Sequence, residues 1–581
     1  MSDITVPAVN LTIDGQKVSV PGNFTILEAA REIGVHIPHL CYHPDLSREG
    51  NCRVCVVELK GARSLVASCV YLVADGMEVH TNTPWVRETR KTVIELMLAN
   101  HPEDCLFCVK NQRCELQALA AEVGVRQIRF RGEKRKAEKD TDNPAIVRDP
   151  EKCILCTRCV RVCSERQGLD VYTSTNRGFD SIVGPAFGLG LDKVACSFCG
   201  QCTSVCPTAA LTEKDDTHEV WDALADPEKY VVVQTAPSVR VALGEEFGMK
   251  SGGIVTGRMV AALRRMGFDK VFDTDFAADM TIMEEGHELL HRIRTGGVLP
   301  MMTSCSPGWV NFVETLYPEI LPHLSSAKSP QQMFGVTVKT YFAEREKIDP
   351  AKIVSVSIMP CTAKKWEARR PQFDDSGYRD VDIVITTREL ARMIKQASID
   401  FAALPEEDYD APMGISTGGG QIFGATGGVM EAALRTAYEV HTGRKLDNVD
   451  FCEVRGLQGI KESQVDFGNG LILRVAVAHT LRNARKLVEK IRAGDADYHF
   501  IEIMACPGGC IAGGGQPYPI DNDVRAARMK SMYDIDVQKT YRKSHENPAI
   551  IELYDTWMGK PLGERAHHLL HTRFAPQERL K

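Results

Sequence analysis

The stretches CILCTRCVRVC at residues 153–163 and CSFCGQCTSVCP at residues 196–207 decide the fold of the middle of this chain. Both space four cysteines as C-x2-C-x2-C-x3-C. Every cysteine of the first run has a counterpart 43 residues later, as position 196 does for position 153. Recurrence of a whole pattern at one offset marks an internal repeat, so the segment contains two copies of one cysteine-bearing unit.

Two such interlocking runs, the second followed by a proline, are typical of a bacterial ferredoxin-like domain with two 4Fe-4S clusters. The fourth cysteine of each run ligates the cluster of the other run. We therefore predict this domain over residues 145–215. Structural zinc is the weaker alternative, because it normally uses two C-x2-C pairs. The predicted ligands are Cys153, Cys156, Cys159 and Cys206 for one cluster, and Cys163, Cys196, Cys199 and Cys202 for the other.

Size and charge limit the kinds of protein that this chain can be. Its 581 residues exceed what one hydrophobic core supports, and a hydrophobic content of 44% suits several packed domains. A net charge of -7, from 70 basic and 77 acidic side chains, leaves no broad basic field for nucleic acid or anionic lipid. MSDITVPAVN lacks the features of a secretory leader, and no run of about 18 apolar residues occurs. We expect a cytoplasmic protein without membrane insertion and without a nucleic-acid partner.

Twenty cysteines are the dominant feature of the composition. The cytosol keeps thiols reduced, so in a large unexported chain they indicate metal ligation rather than disulfides. Only Cys452 stands apart from the other cysteines and their motifs, and we predict that it is a small buried hydrophobic residue.

The N-terminal region has the pattern of a small sheet followed by a helix. VNLTIDGQKVSV at 9–20 alternates apolar and polar residues around an Asp-Gly turn, which predicts a β-hairpin. A Thr25-x-x-Glu28 capping box predicts the start of a helix that Gly34 ends. The cysteines that follow resemble those of a β-grasp, plant-type 2Fe-2S domain, which we place at residues 1–82. Its predicted ligands are Cys41, Cys52, Cys55 and Cys69.

The next group of cysteines, in HPEDCLFCVKNQRC at 101–114, is one thiol short of a conventional cluster. A lone histidine before proline is more often a surface residue, but here an imidazole can complete the set. The spacing resembles the His-ligated 4Fe-4S motif of complex I large subunits and some hydrogenases. We predict this domain at residues 83–128 and a charged, solvated linker at 129–144. The predicted ligands are His101, Cys105, Cys108 and Cys114.

Three motifs lie in the second half of the chain: TSCSPGW at 303–309, MPCTAKKWE at 359–367 and EIMACPGGCIAGGGQP at 502–517. Together they resemble the three signatures of FeFe-hydrogenases, and the resemblance extends over residues 230–572. It implies a multidomain α/β and α+β protein whose two-lobed α/β H-cluster domain occupies residues 216–522. A small-subunit-like segment would follow at 523–581. In this fold class, the β-grasp, His/Cys3 and bacterial ferredoxin-like domains precede the catalytic domain.

The resemblance also implies a cofactor, the H-cluster, in which a 4Fe-4S cube is joined to a two-iron unit with CO, cyanide and a bridging dithiolate. By resemblance Cys361 and Cys506 ligate the cube, and Cys510 also bridges to the two-iron unit. Lys364 would hydrogen-bond a cyanide. The glycines of the third motif remove side chains where the backbone approaches a bulky group. The remaining cofactor-binding residues would be Pro237, Ser238, Gln331, Met359 and Met504.

Heterolytic cleavage of H2 needs a proton route beside the electron route. The family's route corresponds to Cys305, Glu285, Ser325, Glu288 and Arg292 of this chain. Glu288 and Arg292 stand four residues apart, which by itself would indicate only a solvated ion pair on a helix.

One departure from the family pattern falls within TSCSPGW. Most members have Cys-Cys where this chain has Cys305-Ser306; the first cysteine relays protons and the second ligates the cube. Ser306 can ligate through oxygen, a harder donor than thiolate. Alternatively, Cys305 turns inward as the ligand, or the site holds no complete H-cluster. The first two explanations keep an active site in which Cys305 is essential, and we favour them over the third.

The predicted function is that of an iron-only hydrogenase that interconverts H2 with protons and electrons. One 2Fe-2S and three 4Fe-4S accessory clusters would carry the electrons. The predicted partners are ferredoxin or a flavin-containing, NAD(P)-binding subunit, and maturation proteins would supply the H-cluster. The main alternative is an H2-sensing or electron-transfer subunit with an incomplete H-cluster. A complex I type subunit is disfavoured, because that family has no use for the three motifs.

Overall fold

The structure is a computed structural model that describes residues 6–468 and 470–579. Its first unit comprises β1 (Ala8–Ile13), β2 (Gln16–Pro21), α1 (Ile26–Glu32), β3 (Val56–Leu59), β4 (Val66–Ala67) and β5 (Glu78–His80). The strands form one mixed sheet in the order β2-β1-β5-β3-β4, and α1 packs against it. The predicted hairpin is confirmed, with β1 and β2 antiparallel across Asp14-Gly15. The predicted capping box is confirmed as well, between Thr25 and Glu28.

Two helices, α2 (Pro84–Ala99) and α3 (Glu115–Glu122), flank the loop with the second group of cysteines. Ile94 of α2 and Leu116 of α3 share a buried cluster with Leu40 and Val54 of the first unit. The loop between the helices is therefore held against the N-terminal sheet.

Residues 129–144 contain no helix or strand, but they are less solvated than the sequence predicted. Arg135 is buried, and its guanidinium lies 3.4 Å from the carbonyl oxygen of Cys153. The Lys134 ammonium donates to the carbonyl of His101 at 3.0 Å. The cationic side chains reach inward because backbone carbonyls near the cysteine loops accept their hydrogen bonds, so the segment is packed in part against both neighbouring units.

The repeat of residues 153–206 is visible in the backbone. Its elements are β6 (Ile146–Arg148), α4 (Arg158–Arg161), β7 (Thr173–Thr175), β8 (Ile182–Gly184), α5 (Gln201–Val205) and β9 (Leu211–Glu213). A short helix begins after the second cysteine of each run and contains the third. Leu155 and Thr157 have positive φ, and so do Phe198 and Gly200 at the corresponding positions of the second copy. The two copies therefore fold alike. Strand β6, which precedes the first copy, pairs antiparallel with β9, which follows the second.

The large C-terminal part contains two four-stranded sheets. The first comprises β10 (Tyr230–Thr235), β11 (Lys270–Asp273), β13 (Ile353–Met359) and β14 (Ile383–Thr386), all parallel, in the order β11-β10-β13-β14. The second comprises β12 (Met301–Met302), β15 (Ile460–Asp466), β16 (Ile472–His479) and β17 (Phe500–Met504), in the order β12-β17-β16-β15. Only β15 is antiparallel to its neighbour. Helices cover the sheets, which explains the almost continuous apolar sequences of β10 and β13.

The helices of this part are listed by their bounds: α6 (Thr217–Ala225), α7 (Thr256–Arg265), α8 (Thr274–Thr295), α9 (Pro307–Leu316), α10 (Pro330–Thr337), α11 (Ala343–Glu346), α12 (Ala363–Ala368), α13 (Thr387–Gln396), α14 (Gly418–Gln421), α15 (Gly428–Thr442), α16 (Leu481–Ala493), α17 (Asn522–Gln538), α18 (Pro548–Leu553) and α19 (Glu564–Leu570). Most of α8 is buried, and it packs against α10 and α15. It therefore lies between the two sheets.

The three cysteine motifs follow the carboxyl ends of strands from both sheets. Cys305 follows β12, Cys361 follows β13 and Cys506 follows β17. Ligands of open α/β sheets bind beyond the carboxyl ends of the strands. The two sheets thus bring the motifs to one place between them.

The C-terminal segment is tied to this region rather than separate from it. Residues 570–572 run antiparallel to 326–328, with His571 bridged to Ala327. None of the helices within residues 6–468 and 470–579 is long and apolar enough to cross a membrane.

Candidate active site

A cavity of about 710 Å³ lies between the two sheets, where the three motifs meet. Its wall is mostly apolar, so the few polar groups there stand out. All of the predicted H-cluster residues except Ser238 line it: Cys305, Ser306, Cys361, Cys506, Cys510, Lys364, Pro237, Gln331, Met359 and Met504. Ser238 is buried beside Pro237, and Gln516 donates to its hydroxyl at 3.2 Å.

Three thiols of the cavity wall are strongly desolvated. Burial, with the nearby Cys510 thiol, raises the pKa of Cys361 to about 12. Burial raises the pKa of Cys510 to about 11, and that of Cys506 rises well above its usual value for the same reason. Desolvated thiols become thiolates when a metal replaces the proton. The donor set therefore fits an iron-sulfur group in this cavity.

Cys305 and Ser306 both face the cavity, but their side chains have different neighbours. Burial, and then the carboxyl of Glu285, raises the pKa of Cys305 well above its usual value. The Ser306 hydroxyl accepts the backbone N–H of Ala505, the residue before Cys506, at 3.3 Å. Cys305 is thus next to the predicted proton route, whereas Ser306 is next to a predicted cube ligand.

The Lys364 ammonium is held by protein groups at the rim of the cavity. It donates to the Glu367 carboxylate and the Ser329 hydroxyl, each at 2.8 Å, and to the carbonyl of Cys305 at 3.2 Å. Glu367 was not among the predicted site residues, although it is the last residue of the MPCTAKKWE motif. A buried lysine needs a nearby carboxylate, and the i, i+3 spacing could have identified it.

The predicted proton-route residues form a connected group behind Cys305. Burial, and then the Glu288 carboxylate, raises the pKa of Glu285 to about 8. The Ser325 hydroxyl donates to Glu288 Oε2 at 2.9 Å, and its contact with Glu285 opposes the rise of that pKa. Arg292 donates to Glu288 Oε1 at 2.6 Å. Glu285 Oε2 has no hydrogen-bond partner within the described protein, which leaves it free to exchange a proton.

The glycine-rich third motif approaches protein backbone as well as the cavity. A Cβ at Gly514 would lie 2.4 Å from the carbonyl oxygen of Cys199, and one at Gly513 would lie 2.2 Å from that of Pro360. The prediction that these glycines make room for a bulky group is therefore incomplete. They also let the ferredoxin-like segment come close to the cavity.

Several hydrogen bonds join the ferredoxin-like segment to the loops of the cavity. Gln201 donates to the carbonyl of Ala512 at 2.9 Å, and Thr203 to that of Gly514 at 3.1 Å. Thr362, beside Cys361, donates to the carbonyl of Phe198 at 2.7 Å. These contacts hold the loop of Cys199 against the loops of Cys361 and Cys506.

Both predicted cysteine sets of the repeat surround cavities of their own. One cavity is lined by Cys153, Cys156, Cys159 and Cys206, and another by Cys163, Cys196, Cys199 and Cys202. The interlocking assignment, in which each run lends its fourth cysteine to the other, agrees with this arrangement.

The N-terminal cysteines are all buried and in mutual contact. The backbone N–H of Cys41 lies 3.4 Å from the sulfur of Cys52, and the N–H of Cys52 lies 3.5 Å from the sulfur of Cys41. Hydrogen bonds from the Cys52 and Cys69 thiols lower the pKa of Cys41. A hydrogen bond from Cys69 likewise lowers the pKa of Cys55.

His101 is buried, not on the surface. Burial lowers its pKa to about 4, so the imidazole is neutral at pH 7. Its Nδ1 has no hydrogen-bond partner among the described residues. A neutral imidazole with a free nitrogen can ligate a metal. Of the three cysteines of its motif, Cys105 is exposed and the other two are half-buried.

The prediction for Cys452 is wrong. Its side chain is exposed on a short 3-10 turn, Cys452–Val454, whose buried position is taken by Val454.

Comparison with known proteins agrees with this arrangement of sites. Residues 229–514 match the iron only hydrogenase large subunit, C-terminal domain, and 522–577 match the iron hydrogenase small subunit. Residues 7–84 match a 2Fe-2S iron-sulfur cluster binding domain. Residues 90–129 match the iron-sulfur binding region of NADH-ubiquinone oxidoreductase-G, and 143–212 match the ferredoxin-like domain of NADH-quinone oxidoreductase subunit 3.

Individual relatives cover almost the whole chain. The NADP-reducing hydrogenase subunit HndD of Solidesulfovibrio fructosivorans is 52% identical over 98% of this chain and 100% of its own. Iron hydrogenase 1 of Clostridium pasteurianum is 43% identical over 97% of this chain and 99% of its own. A solved structure of the Chlamydomonas reinhardtii FeFe-hydrogenase HydA1 superposes with a TM-score of 0.56 at 46% identity, over 62% of this chain and 99% of that one. The chain therefore belongs to the iron-only hydrogenases and is a member with additional N-terminal iron-sulfur domains.

Proposed function

We propose that this hydrogenase holds an H-cluster on Cys361, Cys506, Cys510 and Ser306 and uses it to interconvert H2 with protons and electrons. The observation that carries the proposal is the shared cavity, whose wall combines these four side chains with the start of a connected proton route. When bound, the cofactor supplies an iron site for heterolytic cleavage of H2. The remaining tasks fall to side chains of the protein.

The choice of Ser306 as the fourth ligand rests on the neighbours of the two candidate side chains. Cys305 lies beside Glu285, the next acid of the route, so its thiol is suited to receive and pass on a proton. The Ser306 hydroxyl instead accepts from the residue that precedes Cys506. Oxygen is a less favourable donor to a cluster iron than thiolate, so we expect a weaker bond at this corner.

Proton transfer between the cavity and the surface would use groups that alternate between donor and acceptor roles. The raised pKa of Glu285 places this carboxyl close to neutral pH, where it can both take and release a proton. Ser325 can pass the proton to Glu288 by rotation of its hydroxyl. Arg292 keeps Glu288 oriented and reaches the carbonyls of Pro322 and Leu324 near the surface.

Electrons would leave through one 2Fe-2S and three 4Fe-4S clusters on the predicted ligands. Contacts support an order for them. The Cys163 set is adjacent to the cavity through the Cys199 loop. The Cys153 set contacts both N-terminal units, since Arg161 donates to the carbonyls of Cys41 and Cys156 at 2.6 and 3.3 Å, and Lys110 donates to that of Cys206 at 2.6 Å. The route would therefore branch at this cluster.

The partner would be a flavin-containing, NAD(P)-linked subunit or ferredoxin. A relative named as a subunit of an NADP-reducing hydrogenase supports the first possibility. Electrons would reach either partner through the N-terminal part of the described chain.

An H2-sensing or electron-transfer role is the second candidate, and only Ser306 favours it. The deciding experiment compares anaerobically maturated wild type with Ser306→Ala and Ser306→Cys. We expect H2 uptake with an artificial acceptor, together with intrinsic CO and cyanide infrared bands, in the wild type and the cysteine variant. Alanine removes the oxygen donor and should abolish both signals. Absence of bands in the wild type, with bands in Ser306→Cys, would instead establish an incomplete cofactor site.

A further inference from the structure

A polar cluster lies beside the proton route and has no part in it so far. It consists of the buried Glu284, Tyr554 and His571 and the half-buried Ser326. Glu284 is fully buried on α8, one residue before Glu285, and accepts hydrogen bonds from the Tyr554 hydroxyl and from the backbone N–H of Leu562 at 2.9 Å. His571 Nε2 lies 3.0 Å from Glu284 Oε2. Glu284 and His571 therefore form a buried, hydrogen-bonded pair of a carboxyl and an imidazole.

This pair is connected to Glu288 through a single hydroxyl. His571 Nδ1 lies 2.8 Å from Ser326 Oγ, and Ser326 Oγ lies 3.2 Å from Glu288 Oε2. The Ser326 backbone N–H also donates to Glu288 at 3.1 Å, so the backbone bond fixes the distance between serine and carboxylate. Ser325 reaches the same Glu288 oxygen from the other side. Glu288 is therefore the junction of two hydrogen-bonded branches.

We propose that Ser326 and His571 form a second branch of the proton route, which joins the first at Glu288. The inference rests on the proposed hydrogenase function. An imidazolium at His571 donates through Nδ1 to Ser326, whose own proton then points to Glu288. Transfer of the His571 proton to Ser326 and of the Ser326 proton to Glu288 leaves neutral imidazole and neutral carboxyl, so protons and charges balance.

A neutral His571 that keeps its proton on Nε2 reverses this arrangement. Its Nδ1 then accepts from Ser326, and the hydroxyl can no longer donate to Glu288. The branch therefore delivers protons only while His571 is charged. The titratable and charged groups around His571 are Glu284, Glu288, Tyr554, Arg292 behind Glu288, and the exposed His567, whose ring stacks on that of His571 at 5.0 Å.

The C-terminal segment positions this branch. The backbone N–H of Thr572 donates to the carbonyl of Ser326, and the backbone N–H of Lys328 donates to that of Leu570, each at 2.8 Å. The paired segments place His571 directly over Ser326. A part of the chain that lies far from the cysteine motifs in sequence would thus supply a proton to the active site.

The first test compares the pH profiles of H2 production by the wild type, Ser326→Ala, Ser326→Thr and His571→Gln, each carrying its H-cluster. Ser531→Ala is the matched control, because Ser531 is a half-buried serine whose hydroxyl also makes a hydrogen bond, to Gly252. We expect Ser326→Ala and His571→Gln to be slower by about tenfold to a hundredfold on the acid side only, the effect of one hydrogen bond to a charged group. Ser326→Thr keeps the hydroxyl and should therefore retain the wild-type rate. Equal slowing at every pH, or no slowing, overturns the proposal.

The second test needs no hydrogenase activity and so separates this proposal from the proposed function. It measures hydrogen–deuterium exchange at the C2 carbon of His571 by mass spectrometry, as a function of pH, in protein with its iron-sulfur clusters. Glu288→Gln should shift the His571 exchange profile, because the Ser326 hydroxyl loses its charged acceptor. In a Ser326→Ala background this shift should disappear, since the connection is already broken. An identical shift in both backgrounds would show that Ser326 does not couple the two residues.

Discussion

Glu285→Gln is the substitution whose effects the structure defines best, because one buried carboxyl affects both proton transfer and the stability of α8. Burial raises the Glu285 pKa from its usual 4.5 to about 8, and Glu288 adds to the rise. Between these pH values the folded protein keeps a proton that the unfolded chain releases. The free energy of unfolding therefore falls as the pH rises through this window, by up to about 5 kcal/mol at about 1.36 kcal/mol per pH unit.

Glutamine has no proton to release, so the variant should lack this pH dependence. We expect α8 of the variant to be protected better than that of the wild type at neutral pH, by about 3 kcal/mol at pH 7, and equally near pH 4. Amide hydrogen exchange of α8, corrected for the intrinsic rates, measures the difference. H2 oxidation should fall by about 10²- to 10⁴-fold, the usual contribution of a proton-transferring side chain.

Glu564→Gln, at an exposed position of α19, is the matched control and should change neither quantity. Equal protection of α8 in wild type and Glu285→Gln from pH 4 to 8 would refute the argument from burial. Full H2 oxidation by Glu285→Gln would exclude this carboxyl from the proton route.

Three further predictions concern other parts of the chain. Lys365→Met should lower the free energy of unfolding by about 3–5 kcal/mol in denaturant titrations, because two buried carboxylates at 2.7 and 2.9 Å lose the buried ammonium that lies between them. Gly514→Ala should slow H2 uptake with a protein acceptor, since its Cβ would meet the Cys199 carbonyl at 2.4 Å and separate the two loops; unchanged rates would contradict this. His101→Cys should lower the potential of the N-terminal 4Fe-4S cluster in redox titrations followed by electron paramagnetic resonance, because thiolate replaces neutral imidazole.

Local patterns in the sequence predicted the local structure well. The Thr25 capping box and the Asp14-Gly15 hairpin depend on neighbours a few residues apart, and both are present. The repeat predicted two copies of one unit, and the backbone shows matching positive φ angles at Leu155 and Phe198. Two of the three motifs follow the neighbouring parallel strands β12 and β17, but the third follows β13 of the other sheet, so their convergence also depends on the packing of the two sheets.

Contacts between distant segments could not be predicted in the same way. Ser326 and His571 are 245 residues apart, and no periodicity connects them. Arg135 is buried although its neighbours are charged, because the carbonyl of Cys153, in a different unit, accepts from it. Cys452 looked like a core residue by type, yet a 3-10 turn directs Val454 inward instead. In each case the contacts of the side chain depend on the surrounding fold and not on the residue type.

The close seating of the ferredoxin-like segment on the cavity loops has a consequence for attempts to shorten the protein. Some relatives consist of little more than the catalytic part, as the structure that matches 62% of this chain illustrates. Removal of residues 1–215 from this chain would leave the carbonyls of Ala505, Ala512 and Gly514 without the donors that Gln167, Gln201 and Thr203 provide. It would also uncover Trp366, which packs on Phe198 at 5.6 Å between ring centres. A minimal enzyme made from this chain would therefore need a redesigned surface there, so its domains are not interchangeable modules.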